Sequence, residues 1–203
     1  MKKAQFFFAL IATLFLLSCA TPVSLTSWKN PQSNARINKL VVMALFGRLD
    51  YTKPTEQAVI DYFNSKGLKS IQSLDFLNPT KKYSEQELQK KVDSVGADGV
   101  LVFTYKGTDK SQNYIPTGYY GYYGGPWGYG WWGGRPYYSG GYWMTTRVVN
   151  LKVSLYTTKQ SEGAVWTADI TITDPGYIDE AAKRVAEKIY LDLVRNQLIT
   201  TQQ

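Results

Sequence analysis

Residues 40–46 read Leu40-Val41-Val42-Met43-Ala44-Leu45-Phe46, an unbroken apolar run closed by Gly47. No polar residue alternates into it, so neither face is marked for solvent, and the run predicts a strand buried on both sides, as in a parallel sheet. Downstream, Thr52 is placed to cap a helix, with Pro54 in its first turn and Glu56 complementing its dipole. Ala58, Val59, Tyr62 and Phe63 share one face of that helix, and Gly67 stands where a helix ends. Leu68 to Leu77 alternates as a second strand, broken by Asn78-Pro79. Ser84 with Glu87 forms a capping box. The helix it opens carries Leu88, Val92 and Val95 on one stripe and stops at Gly96, and Ala97 to Phe103 turns into a third buried strand. The order β-α-β-α-β with short connections requires parallel strands.

The second half changes period. Val149, Leu151, Val153 and Leu155 alternate with Asn150, Lys152 and Ser154. Ala164, Trp166, Ala168, Ile170 and Ile172 alternate with Thr167, Asp169, Thr171 and Thr173. The two runs predict an antiparallel hairpin. Asp174-Pro175-Gly176 turns the chain into a last helix, from about Asp179 to Leu198, with Ala182, Val185, Ala186, Ile189 and Leu193 as its apolar stripe. The expected fold is α/β: a mixed sheet of about five strands over residues 39–200, a single domain.

Upstream of residue 39 the chain is a different material. Lys2 and Lys3 precede a mostly apolar run from Phe6 to Leu17, too short to span a bilayer core of about 30 Å as a helix. The run ends in Leu16-Leu17-Ser18-Cys19, and Cys19 is the only cysteine in the 203 residues. Leu-Leu-Ser-Cys resembles the lipobox of bacterial lipoproteins. The resemblance implies a signal peptide over residues 1–18, cleavage before Cys19, and palmitate-type acyl chains on that residue. Neither Ala20 nor Thr21 is acidic, so the likeness further implies an outer-membrane lipoprotein facing the periplasm. Residues 19–38, with Pro22, Pro31 and scattered Ser, Thr and Asn, read as a lipidated tether.

Composition removes several functions. The chain has no histidine and one cysteine, which excludes His-based acid–base and nucleophile pairs, His-ligated zinc and an internal disulfide. Its formal charge is +7, falling to +5 without Lys2 and Lys3. No basic run is longer than Lys81-Lys82 or Lys90-Lys91, so no nucleic-acid stripe is present. No catalytic set, metal or cofactor is expected. Asp50 and Asp109 follow the first and third strands, where open α/β sheets place ligands and where paired carboxylates could hydrolyse glycosides. They are equally the residues with which loops begin turns.

Residues 117–143 form a low-complexity insertion of ten Gly, eight Tyr, four Trp and two Pro among 27 positions. Gly at this density holds no helix, and Pro126 and Pro136 interrupt any ladder. Three readings stand beside each other: a low-complexity loop without a ligand, an aromatic platform for a partner protein, a glycan strand or another copy of the chain, and a membrane-inserting hairpin. On the platform reading the contact residues are Trp127, Tyr129, Trp131, Trp132, Tyr137 and Tyr138.

Lys39 to Phe46, the turn Gly96-Ala97-Asp98-Gly99-Val100-Leu101-Val102 and the hairpin at 145–173 together resemble the envelope lipoproteins whose periplasmic domain is similar to the amino-terminal domain of TolB. That group includes the curli-secretion lipoprotein and lipoprotein activators of penicillin-binding proteins. The resemblance covers about residues 38–198. It implies an accessory protein, held to the membrane by its lipid, that binds a protein partner or peptidoglycan and catalyses nothing.

Overall fold

The computed structural model describes residues 22–116, 141–158 and 163–200. Six strands form one mixed sheet in the order β1-β6-β5-β4-β2-β3. They are β1 Val23–Lys29, β2 Lys39–Leu45, β3 Lys69–Gln72, β4 Gly99–Pro116, β5 Gly141–Thr157 and β6 Trp166–Thr173. The helices are α1 Leu49–Ser65, α2 Glu85–Ser94 and α3 Ile178–Arg195. β2 runs parallel to both β3 and β4, and the remaining pairs are antiparallel. The α/β reading and the predicted hairpin (β5 with β6) are therefore present.

The sixth strand is β1, which the sequence reading placed in the tether. Val23, Leu25, Ser27 and Lys29 turn toward the body while Ser24, Thr26 and Trp28 are exposed. This short alternation is carried by Ser and Thr, and its partner β6 lies far along the chain, so no local apolar run announces it. β3 is shorter than expected: after Gln72 the chain closes into a 3-10 turn over Ser73–Asp75. α1 begins a turn before the expected cap. Thr52 N–H already donates to Arg48 O at 3.0 Å, and the Thr52 hydroxyl is used elsewhere. Pro54 consequently lies within the helix, not in its first turn.

α1 and α3 cover one face of the sheet. Leu40, Val42, Leu101, Phe103, Val153, Leu155, Trp166 and Ile170 pack there against Val59, Phe63, Val185, Ile189 and Leu193 in the main core. On the other face α2 covers only the β2–β3–β4 half, where Val41, Val92 and Ala97 make a small second core. The capping box that starts α2 is present: Ser84 Oγ accepts from Glu87 N–H at 3.2 Å, and Glu87 accepts from Ser84 N–H at 3.0 Å. Over β5 and β6 that face is polar, with Ser154 bonded to Thr167 at 3.0 Å and Thr171 to Asn150 at 3.2 Å. This accounts for the strict alternation there.

The turn at 96–99 is structural. The Asp98 carboxylate accepts from the backbone of Asn38 at 3.1 Å and of Lys39 at 2.9 Å, fixing the start of β2. A Cβ at Gly99 would lie 2.9 Å from Ile37 Cδ1 and 3.1 Å from its Cγ2, so glycine lets buried Ile37 pack there without shifting.

Candidate functional site

The most distinctive feature begins where β4 and β5 leave the sheet. β2 accompanies β4 only as far as Thr104, and β6 accompanies β5 only as far as Val148. β4 and β5 nevertheless continue pairing to Pro116 and Gly141. The register shifts once, between Tyr105 and Gly107, where Gly107 adopts φ +145°. Such a bulge strengthens local twist and re-aims a strand. At the base, Asp174 clamps β5: Arg147 N–H donates to the Asp174 carboxylate at 2.7 Å, and Asp174 N–H donates to Arg147 O at 2.7 Å. Beyond that clamp, among the described residues, no other strand accompanies the ribbon for six more residue pairs, about 20 Å at the usual rise of ~3.3 Å per residue.

Its side chains do not resemble those of a buried hairpin. On the face continuous with the helix side, Tyr114 and Trp143 pair with ring centroids 5.2 Å apart. On the other face Ile115 opposes Tyr142, and Asn113 opposes Met144. Tyr114 is 50% exposed, Tyr142 54% and Trp143 67%. The ribbon end thus carries apolar side chains on both faces, and among the described residues no core lies beneath it. Nearer the base, exposed Lys110 and Arg147 lie directly opposite one another, and among the described residues neither is in an ion pair. Like charges in that position repel.

The expected insertion boundary therefore moves. Residues 141–143 belong to β5, and β4 extends through Lys106–Pro116. Cys19 and the platform residues Trp127, Tyr129, Trp131, Trp132, Tyr137 and Tyr138 lie outside the described residues. The sequence reading carries the third strand to Phe103, and Thr108 to Asn113 has no apolar alternation to extend it. The available signal was the matching polar run Thr145-Thr146-Arg147 on the partner strand.

Asp50 and Asp109 are each engaged separately. The Arg48 guanidinium bonds Asp50 and holds its carboxyl below the usual carboxylate range, at the surface. Asp109 accepts from Asn150 Nδ2 at 2.8 Å at the base of the ribbon. A hollow between the end of α1 and α3 is lined by Tyr62, Asn64, Ser65, Lys66, Tyr190 and Leu191, and none of the residues lining it is a carboxylate.

The burial of one carboxylate was not foreseen from the sequence. Glu56 of α1 is fully buried and accepts from Ala44 N–H at 2.8 Å and from the Ser73 hydroxyl at 2.7 Å. Thr52 donates to Ala44 O at 3.3 Å. β3 pairs with β2 only through Val42, so these two side chains occupy the position that a longer β3 would fill. Burial pushes the Glu56 carboxyl above its ordinary value, and the hydrogen bonds from Ala44 and Ser73 offset part of the rise.

Comparison with known proteins gives likenesses of structure. The chain aligns over 90% of its length with the whole of PelC from a Paraburkholderia phytofirmans dodecamer, at 14% identity and TM-score 0.48. It aligns over 77% with lipoprotein GNA1162 of Neisseria meningitidis, covering 98% of that chain, at 8% identity and TM-score 0.41. A minor lipoprotein of Acinetobacter baumannii aligns over 80%, covering 96% of that chain, at 9% identity and TM-score 0.34. No family model and no curated protein sequence matches. Among the described residues, no helix is long and apolar enough to cross a membrane, and no group of acidic or cysteine side chains is arranged to hold a metal ion.

Proposed function

We propose that this chain is an accessory lipoprotein of the bacterial envelope, anchored to the outer membrane through Cys19 on its periplasmic side. It works by contact and not by catalysis. The observation that carries this reading is the β4–β5 ribbon, a paired arm that leaves a closed domain and ends in exposed Tyr114, Tyr142 and Trp143. Large aromatic side chains offer contact area at low entropy cost, which suits a docking element. Asp50 and Asp109 are each occupied by a neighbour, which favours contact over hydrolysis.

The test replaces Tyr114, Tyr142 and Trp143 together by serine in the full-length protein, beside a Cys19→Ala variant. Palmitate label on the wild type and its loss in Cys19→Ala supports the anchor, and equal label in both overturns it. Cross-linking in intact envelopes should capture a neighbouring protein through the wild-type arm and lose it in the serine variant. Co-sedimentation with peptidoglycan that depends on the same aromatics supports the alternative, a cell-wall glycan module. Identical behaviour of wild type and serine variant in both assays removes the arm from protein and glycan binding.

A further inference from the structure

The direction of β1 decides where the arm points. β1 runs antiparallel to β6, and its first residue, Val23, sits opposite Ile172, which itself pairs with Val149. Val149 in turn pairs with Thr108. One row across the sheet therefore joins the start of β1 to the base of the ribbon. Thr173 N–H donates to Pro22 O at 3.0 Å, so the ladder continues and the chain before Val23 leaves over the same end of the sheet as the arm.

Lengths then settle the relation between anchor and arm. Cys19 precedes Val23 by four residues, a reach of at most about 14 Å even when fully extended. From Thr108 to Pro116 the ribbon covers about 27 Å at ~3.4 Å per residue. A lipid on Cys19 holds its own level at the bilayer surface, and the ribbon end passes that level by about 13 Å or more.

We infer that the end of the β4–β5 ribbon enters the headgroup region of the leaflet that holds the Cys19 acyl chains, giving the protein a second, aromatic membrane contact. The inference rests on the lipid-anchor reading above. Three features of the arm's end fit a lipid interface. It carries apolar side chains on both faces, with Tyr114 and Trp143 on one and Ile115, Tyr142 and Met144 on the other. A protein groove covers one face, whereas a bilayer surface surrounds both. Tyr and Trp are the side chains enriched at membrane interfaces. Lys110 and Arg147 lie about 13 Å back from the Tyr114–Trp143 row at ~3.3 Å per residue, where long cationic side chains reach lipid phosphates. Their mutual repulsion in the free protein is relieved there. Asp109 shares this level, and Asn150 holds its carboxylate.

The experiment uses the full-length lipidated protein in vesicles of phosphatidylethanolamine and phosphatidylglycerol. Cys19 is the only cysteine and its sulfur is blocked by lipid, so one introduced cysteine takes a fluorophore specifically. The sites are Asn113→Cys on the arm, Ser24→Cys beside the anchor, and Lys69→Cys at the far end of the sheet. All three leave the aromatics in place. The expected result is that lipid-borne quenchers act several-fold more strongly at 113 than at 69, and that an aqueous quencher shows the reverse order. Replacing Tyr114, Tyr142 and Trp143 by serine should abolish the lipid quenching at 113 while Ser24→Cys is unchanged. Lipid proximity at 24 without proximity at 113 overturns the inference and leaves the anchor standing. Absence of lipid proximity at 24 overturns the anchor reading itself. A label at 113 that is shielded from water yet untouched by lipid quenchers overturns the inference in favour of a protein partner.

Discussion

Glu56→Ala should be the most damaging single substitution of a polar residue in this domain. The wild-type carboxylate is the acceptor for Ala44 N–H at 2.8 Å and for the Ser73 hydroxyl at 2.7 Å. Alanine leaves a buried backbone N–H without a partner, at about 1–3 kcal/mol. It also deletes one buried methylene group, Cγ, at about 0.8 kcal/mol. Ser73 can rotate its hydroxyl toward another acceptor, and the desolvation of the carboxylate disappears, so the net loss is about 2–3 kcal/mol. A domain of typical stability, about 5–15 kcal/mol, remains folded at that cost but unfolds at clearly lower urea. Glu56→Gln keeps an acceptor for Ala44 and should change stability by less than about 1 kcal/mol at neutral pH. The two variants separate by pH. Because burial raises the Glu56 carboxyl above 4.5, the native state holds its proton to higher pH than the unfolded chain. The resulting stability is complete below that unfolded value and is lost as pH rises through the folded one. The glutamine variant does not titrate, so its stability relative to wild type should rise over that interval. Urea denaturation followed by far-ultraviolet circular dichroism, repeated from about pH 4 to pH 8, reads both effects. The reasoning fails if Glu56→Ala stays within about 1 kcal/mol of wild type. It also fails if wild type gains on Glu56→Gln as pH rises.

Three further outcomes follow from the packing. Gly99→Ala sets a methyl against Ile37 and should cost about 1–3 kcal/mol by thermal denaturation, with part recovered in the double variant carrying Ile37→Val. Trp166→Phe removes the indole N–H that donates to Asp192 at 2.8 Å, and urea unfolding should show a loss of about 1.5–3 kcal/mol. Replacing residues 117–140 by Asn-Gly closes the last pair, Pro116 with Gly141, as a two-residue hairpin. Calorimetry of that variant should show cooperative unfolding near the wild-type midpoint, and a broad transition would mean that the removed residues pack on the domain.

What the sequence made legible follows from where its apolar residues lie. Leu40 to Leu45 and Leu101 to Phe103 announce central strands because burial on both faces leaves no alternative composition. Ser84 and Glu87 announce α2 because a capping box satisfies donors within four residues of chain. β1 was hidden because its pairing energy comes from β6, which no local pattern contains. The arm was hidden for the opposite reason: Thr108 to Asn113 buries nothing, so no hydrophobic period exists to be read. Glu56 was read as a dipole partner of its own helix. Its real partner is a backbone donor on β2, exposed by the early end of β3, and that is a consequence of tertiary register.

The placement of β1 also fixes an order of events. The first strand to be synthesised finds its only strand partner, among the described residues, in β6, and its last residue reaches further still: Lys29 Nζ donates to Asn196 O, 167 residues along the chain. Contacts of such separation form late, after the intervening chain has ordered itself. During folding the amino-terminal segment therefore stays unpaired while β2, α1, β3, α2 and β4 assemble from nearby residues. A polypeptide cut short before Trp166 has no means of laying down its first strand. Completion of the sheet thus reports that the whole chain has arrived.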